Sequence, residues 1–191
     1  MRLPLSLKLA TIRRLMLSPT LQAIHAELGI PEGYGQDGRP RLFAEAEALV
    51  EAGPNLMGRM QRLAPAALDA WQRMQGAARD DGVVLLIVSG FRSYMYQANL
   101  ISKKIESGQI LSEILKVNAA PGYSEHHTGG ALDIASPGSR PLTEEFESSA
   151  AFGWLTSNAA TYGFGMSYPR GNADGFIYEP WHWALTEIVT S

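Results

Sequence analysis

The sequence predicts an α+β fold: a largely antiparallel central sheet flanked by helices. Three observations predict it. Helical tracts come first and short strand-like segments later, interleaved without the strict alternation of a doubly wound fold. The run Val83-Val84-Leu85-Leu86-Ile87-Val88 is too short and too β-branched for anything but a buried strand. The chain has 191 residues, 46% of them apolar, and no cysteine, so it builds a core by burial and not by disulfide staples.

Residues 1–30 carry apolar side chains at helical spacing (Leu7, Leu9, Ile12, Leu15, Leu21, Ile24, Leu28), broken near Pro19 and ended by Gly29 and Pro31. The first nineteen residues have the charge and leucine content of a signal peptide. Lys8, Arg13 and Arg14 interrupt its apolar run and no A-x-A site follows, so an amphipathic helix is the better reading. No stretch approaches the ~20 apolar residues of a membrane span. The Gly/Pro-rich segment 31–41 reads as a connection, which divides the chain into a helical N-terminal extension, 1–40, and a main body, 41–191.

A second helical tract is expected over 41–52, closed by Gly53-Pro54. The segment from Pro65 to Arg79 has proline in its first turn and many alanines, and Asp80-Asp81-Gly82 ends it. After the strand 83–88, Tyr94 to Ser107 and Ser112 to Val117 are expected as helices. A glycine-bearing loop, 121–130, leads into the strand Ala131–Ala135. Residues 143–162 read as mostly helical with a stop at Gly163. The aromatic, glycine- and proline-rich tail, Phe164–Leu185, reads as short strands joined by a turn at Gly171-Asn172. His25, in the extension, is expected to be an ordinary partly exposed histidine.

Composition excludes several function classes. Without cysteine there is no thiolate zinc finger, iron–sulfur cluster or cysteine nucleophile. A net charge of −3 argues against nucleic-acid binding through a basic face. The chain has neither the HExxH of a zincin helix nor a GxSxG nucleophile elbow.

Three of the four histidines lie in two places, Ser124-Glu125-His126-His127 and Glu179-Pro180-Trp181-His182, with Asp133 between them. A catalytic zinc takes three nitrogen or oxygen ligands and keeps a fourth position open. His126, Asp133 and His182 could supply that set. In a strand, His182 faces one way and Trp181 and Trp183 the other, so the tryptophans anchor in the core while the imidazole points into a cleft. Glu179, set off by Pro180, would sit at the strand mouth, where a carboxylate can take a proton from water.

Ser89-Gly90-Phe91-Arg92-Ser93, Ser124-x-His126-x-x-Gly129-x-Ala131-x-Asp133 and Glu179-Pro180-Trp181-His182 together resemble, in order, the motifs of zinc D-alanyl-D-alanine carboxypeptidases of the vancomycin-resistance type. Those enzymes share a metal-site architecture with the dipeptidases of that system, some phage endolysins and the hedgehog signalling domain. The resemblance covers roughly residues 41–187 and makes 41–191 the catalytic domain. It implies one Zn2+ per chain on His126, Asp133 and His182, with Glu179 as general base. It further implies that Arg92 binds substrate and steadies the oxyanion, a task suited to a rigid, permanently charged donor fork. Ser124 and Gln97 match positions that contact the terminal D-alanine.

Two departures stand out: His127 replaces the glutamine often found there, and Trp183-Ala184-Leu185 lacks the arginine often found beyond the last motif. The implied reaction removes the terminal D-alanine from peptidoglycan stem peptides, in an extracytoplasmic setting. An endopeptidase or endolysin on the same site, and a non-catalytic zinc-containing wall-binding module, are the alternatives. The presence of Glu179 argues against the last. Oligomeric state and the preferred terminal residue stay open.

Overall fold

The structure, a computed structural model, describes residues 17–186; the helical pattern and the leader-like composition of residues 1–16 lie outside the described residues. Among the described residues are five α-helices and six strands: α1 (Pro19–Leu28), β1 (Val50–Pro54), β2 (Met60–Leu63), α2 (Pro65–Asp80), β3 (Leu86–Ser89), α3 (Tyr94–Glu106), α4 (Leu111–Val117), β4 (Ala131–Ala135), α5 (Ala150–Asn158), β5 (Phe164–Met166) and β6 (His182–Leu185). The central sheet runs β3-β4-β6-β5 with every pair antiparallel, and β1 and β2 form a separate hairpin. The architecture is α+β, as the sequence predicts.

α2 explains one side of the core. Its buried residues, Ala67, Ala70, Trp71, Met74 and Ala78, form one stripe at helical spacing. That stripe packs with Leu132 and Ile134 of β4, Leu155 of α5, Phe164 of β5, and Trp181 and Trp183 around β6. The other face of β4 carries Asp133, so the sheet separates an apolar core from a polar site.

Three elements differ from expectation. No helix forms over 41–52: the chain is irregular until β1, and its backbone donors serve distant partners, Phe43 N–H to Gly122 O (2.7 Å) and Ala46 N–H to His127 O (2.8 Å). Those tertiary bonds outweigh the intrinsic helix preference of this Ala/Glu-rich stretch. β3 starts at Leu86 because Val83 N–H is spent closing α2, on Ala78 O at 2.7 Å. The tail strands pair as expected, but residues 167–181 between them form a long loop around the turn at Arg170-Gly171.

The β1–β2 hairpin lies along the outer side of β3. Leu56 N–H reaches Ile87 O (3.3 Å), the Asn55 amide reaches Val88 O (2.9 Å), and Phe91 N–H reaches Arg62 O (2.9 Å). His25 is not the partly exposed residue expected; it is 7% exposed, with Nε2 2.7 Å from Pro121 O. A carbonyl cannot donate, so Nε2 carries the proton. α1 thereby braces the 121–124 loop, beside a second apolar cluster of Ile30, Ala119, Ala120 and Tyr123.

Candidate metal centre

Two adjacent strands and one turn assemble the site. Asp133 on β4 stands directly opposite His182 on β6 in the antiparallel register, so both side chains project from the same sheet face. His126 comes from a 3-10 turn, Glu125–Thr128, that ends at Gly129 with φ +66°. A Cβ at Gly129 would lie 2.7 Å from the backbone nitrogen of Ala64, so the turn requires glycine both for its backbone angle and for close approach. One ligand-type atom from each of His126, Asp133 and His182 lies within 4.8 Å of the others, and all three residues are buried.

Proton positions follow from the partners. His126 Nδ1 lies 2.6 Å from Gly90 O, so Nδ1 donates and the lone pair is on Nε2. That Nε2 is buried, has no hydrogen-bond partner among the described residues, and lies 3.3 Å from Asp133 Oδ2. Burial, with Arg92 nearby, lowers the His126 pKa to about 4, which keeps the ring neutral. His182 has Asp133 Oδ1 3.2 Å from Nδ1 and Glu125 Oε2 2.8 Å from Nε2. An unpartnered, buried imidazole nitrogen aimed at a carboxylate and a second imidazole is a donor set that fits a divalent, nitrogen- and oxygen-loving ion such as zinc.

Two charged groups face this set. Glu179 is 7% exposed, with Oε2 3.9 Å from His182 Nδ1. Its backbone is tied by Glu179 N–H to Tyr168 O (3.0 Å) and His182 N–H to Glu179 O (3.1 Å). Burial is the largest influence on its carboxyl and pushes the pKa up to about 7, a value suited to proton transfer near neutrality. Arg92 sits in the link between β3 and α3, its Nη2 3.4 Å from Asp133 Oδ2 and its Nε buried without a partner among the described residues.

The sequence-predicted residues come together. Arg92, Gln97, Ser124, His126, Glu179 and His182 line one cavity, and Asp133 contacts Arg92 and both histidines. Gln97 donates its amide N–H to Ala119 O (2.9 Å), which leaves its buried Oε1 free of any partner among the described residues. Ser124 is 5% exposed.

Three contributors escape sequence reasoning. Tyr168 lies against His182 with ring centroids 4.7 Å apart. Glu125 contacts His182 as given above; burial works against its charge, but the bond to His182 prevails and its pKa is lowered. His127, fully buried, donates from Nδ1 to Arg92 O (2.6 Å) and accepts from Gly122 N–H at Nε2 (3.1 Å). With Arg92 N–H bonded to His126 O (3.1 Å), the backbone of Arg92 is held on both sides. The unexpected histidine is therefore a neutral cross-link between two loops; burial lowers its pKa to about 4.

Residues 60–187 match the family described as VanY, D-alanyl-D-alanine carboxypeptidase. YodJ of Bacillus subtilis strain 168 is 39% identical over 120 residues, covering 61% of this chain and 43% of YodJ. The chain spans less than half the length of the curated relatives it matches. The solved LdcB LD-carboxypeptidase is 34% identical with a TM-score of 0.67, covering 74% of this chain and 69% of LdcB. A vancomycin resistance D,D-pentapeptidase VanY variant, solved in complex with Zn(II), is 26% identical with a TM-score of 0.58, covering 78% of this chain and 82% of that one.

Proposed function

This chain belongs to the VanY family of D-alanyl-D-alanine carboxypeptidases, and from that premise we propose that it is a zinc peptidase that removes the terminal D-alanine of peptidoglycan stem peptides. The observation that carries the reading is the buried Nε2 of His126, without a hydrogen-bond partner among the described residues and facing Asp133 and His182. These three residues would hold the ion. Zinc, when bound there, supplies Lewis acidity, lowering the pKa of water toward about 7 and polarising the scissile carbonyl.

The remaining chemistry falls to the chain's own side chains. Glu179, deprotonated at neutral pH or above, takes a proton from the attacking water and returns it to the leaving amine of D-alanine. Arg92 presents its guanidinium to the oxyanion that develops on the carbonyl, with its backbone clamped so that little reorganisation is needed. The Oε1 of Gln97, without a partner among the described residues, and the hydroxyl of Ser124 line the cavity and would accept from and donate to the terminal residue. The walls around these groups are formed by the aromatic rings of Tyr168 and Phe176, which limit water in the cavity.

A second reading is favoured by the likeness to LdcB: the scissile bond would join an L-residue to the terminal D-alanine. Both readings are tested together. Purified protein should contain about one zinc per chain, lose activity on chelation and regain it with zinc. It should release free D-alanine from a pentapeptide ending in D-Ala-D-Ala or from the corresponding tetrapeptide, and the faster substrate identifies the bond. Glu179→Gln should retain zinc and lose roughly 10²–10⁴-fold in turnover, because the amide keeps the shape but cannot take a proton. Full activity in metal-free protein, or cleavage within the stem with no D-alanine released, would overturn the proposal.

A further inference from the structure

Glu125 immediately precedes His126 in the 3-10 turn, yet its carboxylate does not face the cavity. It reaches past its neighbour to His182, with Oε2 2.8 Å from Nε2, and its side chain is 22% exposed. The same imidazole has a second carboxylate at its other nitrogen, Asp133 Oδ1 at 3.2 Å. An imidazole that binds a metal has given up one N–H and keeps the other, and which nitrogen keeps it decides the chemistry. With the proton on Nδ1, the ring donates to Asp133 and presents no lone pair to the ligand set. With the proton on Nε2, Nδ1 is free and faces Asp133 and His126.

We propose that Glu125 is a positioning residue of the metal centre: by accepting the Nε2–H of His182, it holds that ring in the tautomer whose Nδ1 can bind the ion. The distances favour this side, since 2.8 Å is a full hydrogen bond and 3.2 Å a long one for a charged acceptor. The assignment also matches His126, whose Nδ1 proton is fixed on Gly90 O. Each imidazole then has one nitrogen anchored outside the site and one aimed into it. One four-residue turn thus supplies a ligand, His126, and the anchor of the other histidine ligand, which comes from a strand 57 positions away in the chain.

The inference rests on the zinc reading given above, and the experiment separates the two. Zinc affinity is measured by chelator competition on the full chain, for the parent, His126→Ala, Glu125→Gln and Glu125→Ala. The Nε2–H of His182 is followed independently by long-range 1H–15N correlations and its exchange with solvent in the zinc-loaded protein. Glu125→Ala should weaken zinc by about 10–100-fold, the usual effect of losing such a partner, and Glu125→Gln by less, because its carbonyl oxygen still accepts. The His182 Nε2–H signal should be protected from exchange in the zinc-loaded parent and lose that protection in Glu125→Ala. If the parent binds no zinc, or His126→Ala binds as well as the parent, the zinc reading fails. If the parent binds zinc and both Glu125 variants bind equally well with the His182 Nε2–H equally protected, the positioning role of Glu125 is wrong.

Discussion

Arg92 is the residue whose geometry most directly invites substitution. Its backbone is bonded at N–H and C=O to the two consecutive histidines 126 and 127, while its guanidinium faces Asp133 and the cavity. Arg92→Lys keeps the charge but not the fork, so kcat should fall more than KM rises. Complete loss of an oxyanion donor costs about 10²–10³ in kcat, and the lysine variant should fall within that loss. Steady-state kinetics on a D-alanyl-D-alanine pentapeptide, with zinc measured on the same sample, checks it; unaltered constants would remove Arg92 from the reaction. At this scale the sequence is most legible where motif spacing matters. His126, Asp133, His182, Glu179 and Arg92 fall within a few ångströms of one another as their motifs imply. Glu125 and His127 are not legible. Each acts through a contact with a distant segment, and nothing about a glutamate or histidine beside a ligand says which way its side chain turns.

One turn joins the two strands in holding the site in place. Gly129 ends the turn that carries His126, and Gly129→Ala meets two obstacles: a left-handed φ, and the Ala64 nitrogen that donates to Gly129 O at 3.0 Å. The first alone costs roughly 1–2 kcal/mol. Gly138 offers the control, since it has φ +81° but a Cβ there would meet nothing within 4 Å among the described residues. Urea unfolding of the metal-free protein should therefore show a clearly larger loss for Gly129→Ala than for Gly138→Ala; equal losses would mean that the approach to Ala64 is easily relaxed. The elements also show where reading by pattern fails. α2 is legible because its stripe and its proline start agree with its burial. The segment 41–52 is not, because its backbone donors are claimed by the carbonyls of Gly122 and His127, and no local pattern records a partner some eighty residues away.

Across the whole molecule, residues 17–40 support the loop that leads to the site. Leu21 and Ile24 are 3% and 6% exposed, His25 bonds to Pro121 O, and a Cβ on Gly122 would meet Leu21 at 2.9 Å. Leu21→Ala and Ile24→Ala should each cost about 2–5 kcal/mol. Because the loosened loop carries Ser124 and leads directly into the turn that holds His126, zinc affinity should drop along with the unfolding midpoint. A lower midpoint with unchanged zinc affinity would show that α1 stabilises the fold without bracing the site. The hairpin laid along β3 has a different consequence, one for the protein in concentrated solution. A sheet's outermost strands are templates for recruiting other chains, and self-association grows from them. Here one of those strands has its carbonyls at Ile87 and Val88 already taken by Leu56 and Asn55, and the opposite one, β5, is three residues long. Among the described residues, the central sheet therefore offers little at its two edges for a fibril or a swapped dimer to grow from.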